Sequence, residues 1–111
     1  MTVVARQDLY AETAGLFHLL SHRARLQILD ELRVEEACVC HLQTVLGRPQ
    51  AYVSQQLRVL RDAGVVTDRR DGMMVYYQLA DDHVAQLLDD VLGRAGERKR
   101  LPDCPCPLCC H

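Results

Sequence analysis

No apolar run in this chain approaches the roughly 20 residues needed to cross a bilayer. The opening residues Met1-Thr2-Val3-Val4-Ala5-Arg6 lack the basic start and apolar block of a secretory leader. A cytoplasmic protein with no membrane partner is expected. Nor is the chain a polycation: 13 Lys and Arg against 15 Asp and Glu leave a net charge of −2, which argues against indiscriminate binding to nucleic acid. There is no internal repeat. With 49% hydrophobic and 25% charged residues, the composition is that of an ordinary globular domain rather than a disordered one. A length of 111 residues fits a single domain. So small a domain leaves much surface exposed, and a dimer interface would supplement its core.

What the chain does contain is six cysteines, unevenly placed. Cys38 and Cys40 lie mid-chain, while Cys104, Cys106, Cys109 and Cys110 crowd the last eight residues. In a reducing compartment such clusters bind metal or do redox chemistry rather than forming a disulfide framework. The charge is uneven too. Leu46 to Ala80 carries +2 through Arg48, Arg58, Arg61, Arg69 and Arg70, whereas Asp81 to Glu97 carries −4. A basic middle followed by an acidic stretch suits one anion-facing surface and another turned away.

Apolar periodicity predicts five helices. The first runs from about Leu9 to Leu20, with Leu9, Leu16, Phe17, Leu19 and Leu20 near helical spacing. Ser21 is the expected N-cap of the second, whose inner face is Leu26, Ile28, Leu29 and Leu32. Arg33 to Ala37 reads as a charged connection. A brief third helix places Leu42, Val45 and Leu46 on one side and stops at Gly47. After Arg48-Pro49 a fourth helix spans Gln50 to Ala63, with Val53, Leu57 and Leu60 inward. Its opposite face carries Ala51, Gln55 and Arg58, flanked by Tyr52 and Ser54, side chains that suit base edges and phosphates. Two strands, Val65 to Asp68 and Met73 to Leu79, are joined through Arg69-Arg70-Asp71-Gly72, where Asp-Gly marks a tight turn. A fifth helix aligns Val84, Leu87, Leu88, Val91 and Leu92. The expected organisation is a domain over residues 1–97 and a proline-broken, cysteine-rich tail over 98–111.

The fold class is therefore mainly α with a β-hairpin wing, a winged helix-turn-helix in the order helix-helix-helix-helix-strand-strand-helix. The run Ser54-Gln55-Gln56-Leu57-Arg58-Val59-Leu60-Arg61-Asp62-Ala63-Gly64-Val65-Val66 resembles the recognition helix and exit of the ArsR/SmtB family of metal-responsive repressors. The wing Arg69 to Leu79 is similar to that family's, as is Leu19 to Leu29, where His22 and Arg23 stand in place of the usual aspartate and proline. The resemblance spans about residues 9–92 and implies a homodimer through the first and last helices, bound to double-stranded operator DNA. It makes Gln50, Tyr52, Ser54, Gln55 and Arg58 the candidate groove contacts, with Arg69 and Arg70 on phosphates.

Cys38-Val39-Cys40-His41-Leu42 resembles the Cys-Val-Cys-Asp-Leu box of thiolate-ligated family members. That likeness implies an effector such as As(III), Sb(III), Cd(II), Pb(II) or Zn(II), ions that soft thiolates select. In a regular helix, residues i and i+2 point about 200° apart. The two cysteines can share an ion only if they straddle a helix start, a position that also favours the thiolate form. Two sulfurs leave such ions short of ligands, and position 43 holds Gln where some relatives have a third cysteine. The missing donors are expected among Cys104, Cys106, Cys109 and Cys110, with a separate tail cluster or a tail without metal as alternatives. His41 is expected to be an exposed helix residue. A second family site, at Asp81, His83 and Glu97, is expected to be broken by Arg94, leaving Asp82, Asp89 and Asp90 as solvated helix charges.

The first functional expectation is a repressor that binds DNA metal-free and releases it on binding the ion. A thiol-redox repressor switched by a disulfide is the alternative. An enzyme built on Cys106 and Cys109 is not expected, because no thioredoxin-like βαβ unit surrounds them, and no small-molecule substrate is implied.

Overall fold

A computed structural model of the chain describes residues 3–95. The elements in order are α1 (Val3–Leu20), α2 (Arg23–Leu32), β1 (Ala37–Cys38), α3 (Val39–Leu46), α4 (Gln50–Asp62), β2 (Val66–Asp71), β3 (Met74–Leu79) and α5 (Asp82–Leu92). This is the expected mainly helical, winged arrangement with one added element. The stretch read as a charged connection ends in β1, which joins the hairpin to make a three-stranded antiparallel sheet in the order β1-β3-β2. Ala37 pairs with Tyr77 and Cys38 with Tyr76. Two residues are too short to show period-two patterning, so nothing local marked them as a strand.

Three boundaries differ from expectation for local reasons. α1 begins at Val3 rather than Leu9, because Val3 to Asp8 contains neither proline nor glycine to stop it. Ser21 does not cap α2. Its hydroxyl donates to the His18 carbonyl at 2.9 Å and so closes α1, while His22 occupies the N-cap of α2 without a side-chain cap bond. In the wing, Arg69 and Arg70 belong to β2, paired with Tyr76 and Val75. The Asp71–Met74 pair closes a loop of Gly72 and Met73. Gly72 has φ +61° at the first loop position, where a type II′ turn needs it.

The core lies where α2, α3, α4, α5 and the sheet meet. Ile28, Leu29, Leu42, Val53, Leu57, Leu60, Val65, Val66 and Val84 are fully buried in it. Val53, Leu57 and Leu60 seat α4 through the expected stripe, each contributing about 1.5–3 kcal/mol by burial. Gln56 is buried with them, and its Oε1 accepts from Arg25 Nε at 2.9 Å. Arg25 Nη1 also donates to the Leu19 carbonyl at 3.2 Å, so one guanidinium fastens α4 to the end of α1.

The outer helices keep part of their apolar surface exposed. On α1 Leu20 is buried and Leu16 and Leu19 are half-buried, but Leu9, Tyr10 and Phe17 are exposed. On α5 Val84 and Leu88 face the core, whereas Val91 is 71% and Leu92 46% exposed. Asp81 caps α5, its Oδ1 accepting from the backbone N–H of His83 at 2.9 Å and of Val84 at 3.2 Å. Asp89, expected to be a solvated charge, instead accepts from Arg33 Nη1 at 2.6 Å, because α2 ends against α5.

Candidate sensor and nucleic-acid interface

Cys38 ends β1 and is also the N-cap residue of α3, with extended backbone at φ −88° and ψ 169°. Cys40 is the second residue of that helix. The strand-to-helix junction turns the two side chains toward each other, and their Sγ atoms stand 3.4 Å apart. This is far beyond the roughly 2.05 Å of a disulfide. It is close to the separation, about 3.4–3.8 Å, that two sulfurs bonded at about 2.3 Å to one ion would span. The junction meets the geometric condition for a shared ion. Cys38 is buried and Cys40 half-buried.

Among the described residues, no third His, Cys, Asp or Glu joins the pair to form a metal-binding group. Cys104, Cys106, Cys109 and Cys110 lie outside the described residues, as does Glu97. His41 is half-buried rather than exposed, with Nε2 3.7 Å from Glu31 Oε2, and it leans on α2. At the other predicted site, Asp81 spends one carboxylate oxygen on the α5 cap.

The outward face of α4 presents the expected side chains. Gln50, Gln55 and Arg58 are exposed and Tyr52 and Ser54 half-buried, opposite the Val53-Leu57-Leu60 stripe. Arg48, just before the helix, stacks on Tyr52 with its guanidinium carbon 4.1 Å from the ring centroid. This adds a cation to the start of the face. Arg48 was legible only as part of a basic stretch.

The two wing arginines differ. On β2 they point to opposite faces of the sheet. Arg70 makes no ion pair among the described residues. Arg69 is held by Glu36: its Nε donates to Glu36 Oε2 at 2.8 Å and its Nη2 donates to Glu36 Oε1. Gln78 Nε2 donates to Glu36 Oε2 at 2.7 Å. The hydrogen bonds from Arg69 and then Gln78 lower the Glu36 carboxyl to about 2, and the same pairing raises Arg69. Glu36 was not among the candidate residues. It sits in the stretch that reads as a charged connection, and the pairing of β1 with β3 brings it to the wing.

Comparison with known proteins agrees with this picture. Residues 22–68 match the family described as bacterial regulatory protein, arsR family. The HTH-type transcriptional repressor SmtB of Mycobacterium tuberculosis is 43% identical over 87 residues, covering 78% of this chain and 64% of that protein. This chain therefore spans just under two thirds of that relative's length. The cadmium resistance transcriptional regulatory protein CadC homolog of Staphylococcus aureus is 37% identical over 79 residues, covering 70% of this chain and 65% of that one. Among solved structures, the homodimeric winged helix-turn-helix DNA-binding domain of a possible ArsR-family regulator from Mycobacterium bovis superposes with a TM-score of 0.70. It is 33% identical, covering 78% of this chain and 81% of that domain. All three are named as transcription regulators, in keeping with the expectation that this chain is not an enzyme.

Proposed function

The chain belongs to the arsR family of bacterial regulatory proteins, and from that premise we propose that it is a transcriptional repressor released from operator DNA by a thiophilic ion at Cys38 and Cys40. The observation that carries this reading is the 3.4 Å separation of the two sulfurs at the start of α3. The helix they begin packs beside α4, so a change at the junction reaches the recognition helix. Thiolates select As(III), Sb(III), Cd(II), Pb(II) or Zn(II) over hard cations. The remaining ligands come from Cys104, Cys106, Cys109 or Cys110 in the 98–111 tail, of the same or the partner subunit.

Gln50, Tyr52, Ser54, Gln55 and Arg58 enter a major groove of double-stranded DNA, with Arg69 and Arg70 on flanking phosphates. The exposed apolar residues of α1 and α5 pair two protomers, so that two recognition helices meet two half-sites. In a cytoplasmic setting the thiols stay reduced and able to bind.

Titration with arsenite, Pb(II), Cd(II) and Zn(II), read by ultraviolet thiolate charge transfer and by operator release, tests the proposal. Both signals should rise together in the wild-type chain and vanish in Cys38→Ser. A chain ending at Arg100 should bind the ion more weakly if the tail completes the site. Saturating ion that leaves operator affinity unchanged refutes the reading. Release by peroxide, restored by dithiothreitol without metal, would establish the redox alternative instead.

A further inference from the structure

Across the sheet, Cys38 stands opposite Tyr76 and Tyr76 opposite Arg69. Directly opposed residues share a face, so the sensor cysteine, the tyrosine and the wing arginine form one row across three strands. The guanidinium carbon of Arg69 lies 4.7 Å from the Tyr76 ring centroid, on that face. Glu36 and Gln78, each two residues along their chains from Cys38 and Tyr76, share the face by the period of two. Glu36 offers Arg69 two oxygens in the forked arrangement that a phosphate would offer. Asp71 is a looser second acid, 3.8 Å from Arg69 Nη1.

This sets a carboxylate, just before the strand that carries a sensor cysteine, against one wing arginine. We propose that Glu36 is an internal stand-in for a DNA phosphate: it holds Arg69 in the free protein, operator DNA must displace it, and an ion at Cys38 and Cys40 keeps it in place. The inference rests on the sensor-repressor reading above. Only Ala37 lies between Glu36 and Cys38, and the β1–β3 ladder pairs Cys38 with Tyr76. An ion that immobilises Cys38 therefore immobilises the carboxylate that grips Arg69. Arg70 faces the other way and stays available to phosphate in both states. The ion thus removes one phosphate contact per wing and leaves the other. Glu36 is a positioning residue in this scheme and touches neither the ion nor the DNA bases.

The test is operator binding by the full-length chain as a function of salt, with and without Cd(II), for wild type, Glu36→Gln, Arg69→Ala and the double variant. Without ion, Glu36→Gln should bind several-fold more tightly at low salt. Its log–log salt slope should steepen by about 0.9 for each wing, the signature of one gained phosphate contact. With Cd(II) it should bind the ion by thiolate charge transfer as wild type does, yet lose several-fold less operator affinity. In the Arg69→Ala background, Glu36→Gln should change neither slope nor ion response. A tightening that persists without Arg69 overturns the proposal, since the lost carboxylate would then act only as a charge near DNA. An unchanged slope in Glu36→Gln with normal ion release overturns the competition and leaves the sensor reading standing. A steeper Glu36→Gln slope in a chain whose wild type ignores arsenite, Pb(II), Cd(II) and Zn(II) alike refutes the sensor reading and keeps only the competition.

Discussion

Replacing Arg33 with alanine tests how the end of α2 is fastened to α5. The side chain is 2% exposed. Its Nε donates to Asp30 Oδ1 at 2.8 Å, and its Nη1 donates to Asp89 Oδ1 and the Gly93 carbonyl, both at 2.6 Å. Nη2 also lies 2.8 Å from Asp30 Oδ1, off the hydrogen-bonding axis. Arg33→Ala withdraws this cation from the buried Asp30 carboxylate, and breaking a buried pair from one side costs about 3–5 kcal/mol. The Asp89 end adds little, because that side chain is 41% exposed and exposed pairs contribute roughly 1 kcal/mol or less. A loss of about 3–4 kcal/mol is expected, a large part of the roughly 5–15 kcal/mol that holds a domain together. Urea unfolding should show it as a midpoint lower by roughly 1–4 M. Protein concentration must be held constant, since any self-association would add to apparent stability. Asp89→Asn should cost no more than about 1 kcal/mol. The reasoning fails if Arg33→Ala lies within about 1 kcal/mol of wild type, or if Asp89→Asn is equally damaging.

Two further outcomes follow from single contacts. Asp81→Ala removes the acceptor of two α5 N–H groups and should cost about 1 kcal/mol, read as a fall in Tm of roughly 4–8 °C; an unchanged Tm would mean the cap does not form in solution. Glu36 has a folded value of about 2 against an ordinary 4.5, so its pairing with Arg69 is fully present above pH 4.5 and fades as pH falls toward 2. A side-chain carboxyl titration by NMR should place its midpoint well below the ordinary 4.5 of a glutamate, and a midpoint at that ordinary value would show the pair to be absent.

How much was legible in the sequence depends on how local the signal is. The α4 stripe of Val53, Leu57 and Leu60, the stop at Gly47 and the turn at Gly72 were readable because periodicity and positive φ act over a few residues. The relation of Cys38 to Cys40 was readable as a condition, since helix geometry alone requires the pair to straddle a helix start. Ser21 shows the limit: a serine before a helix suits either the end of one helix or the start of the next, and here it closes α1.

Tertiary pairing decided the rest. β1 exists because β3 offers it a free edge, and no pattern within Ala37–Cys38 could announce that. Asp89 and Arg33 are separated by 56 residues, and Glu36 and Arg69 by 33, so whether those charges are solvated or paired depends on which elements pack together. By itself the sequence determined a winged helical scaffold and a cysteine pair at a helix start, because both follow from backbone geometry and short-range spacing. Only the folded chain decided that Glu36, just before the strand carrying Cys38, also grips a wing arginine, because that contact is made across the sheet between residues with no local relation.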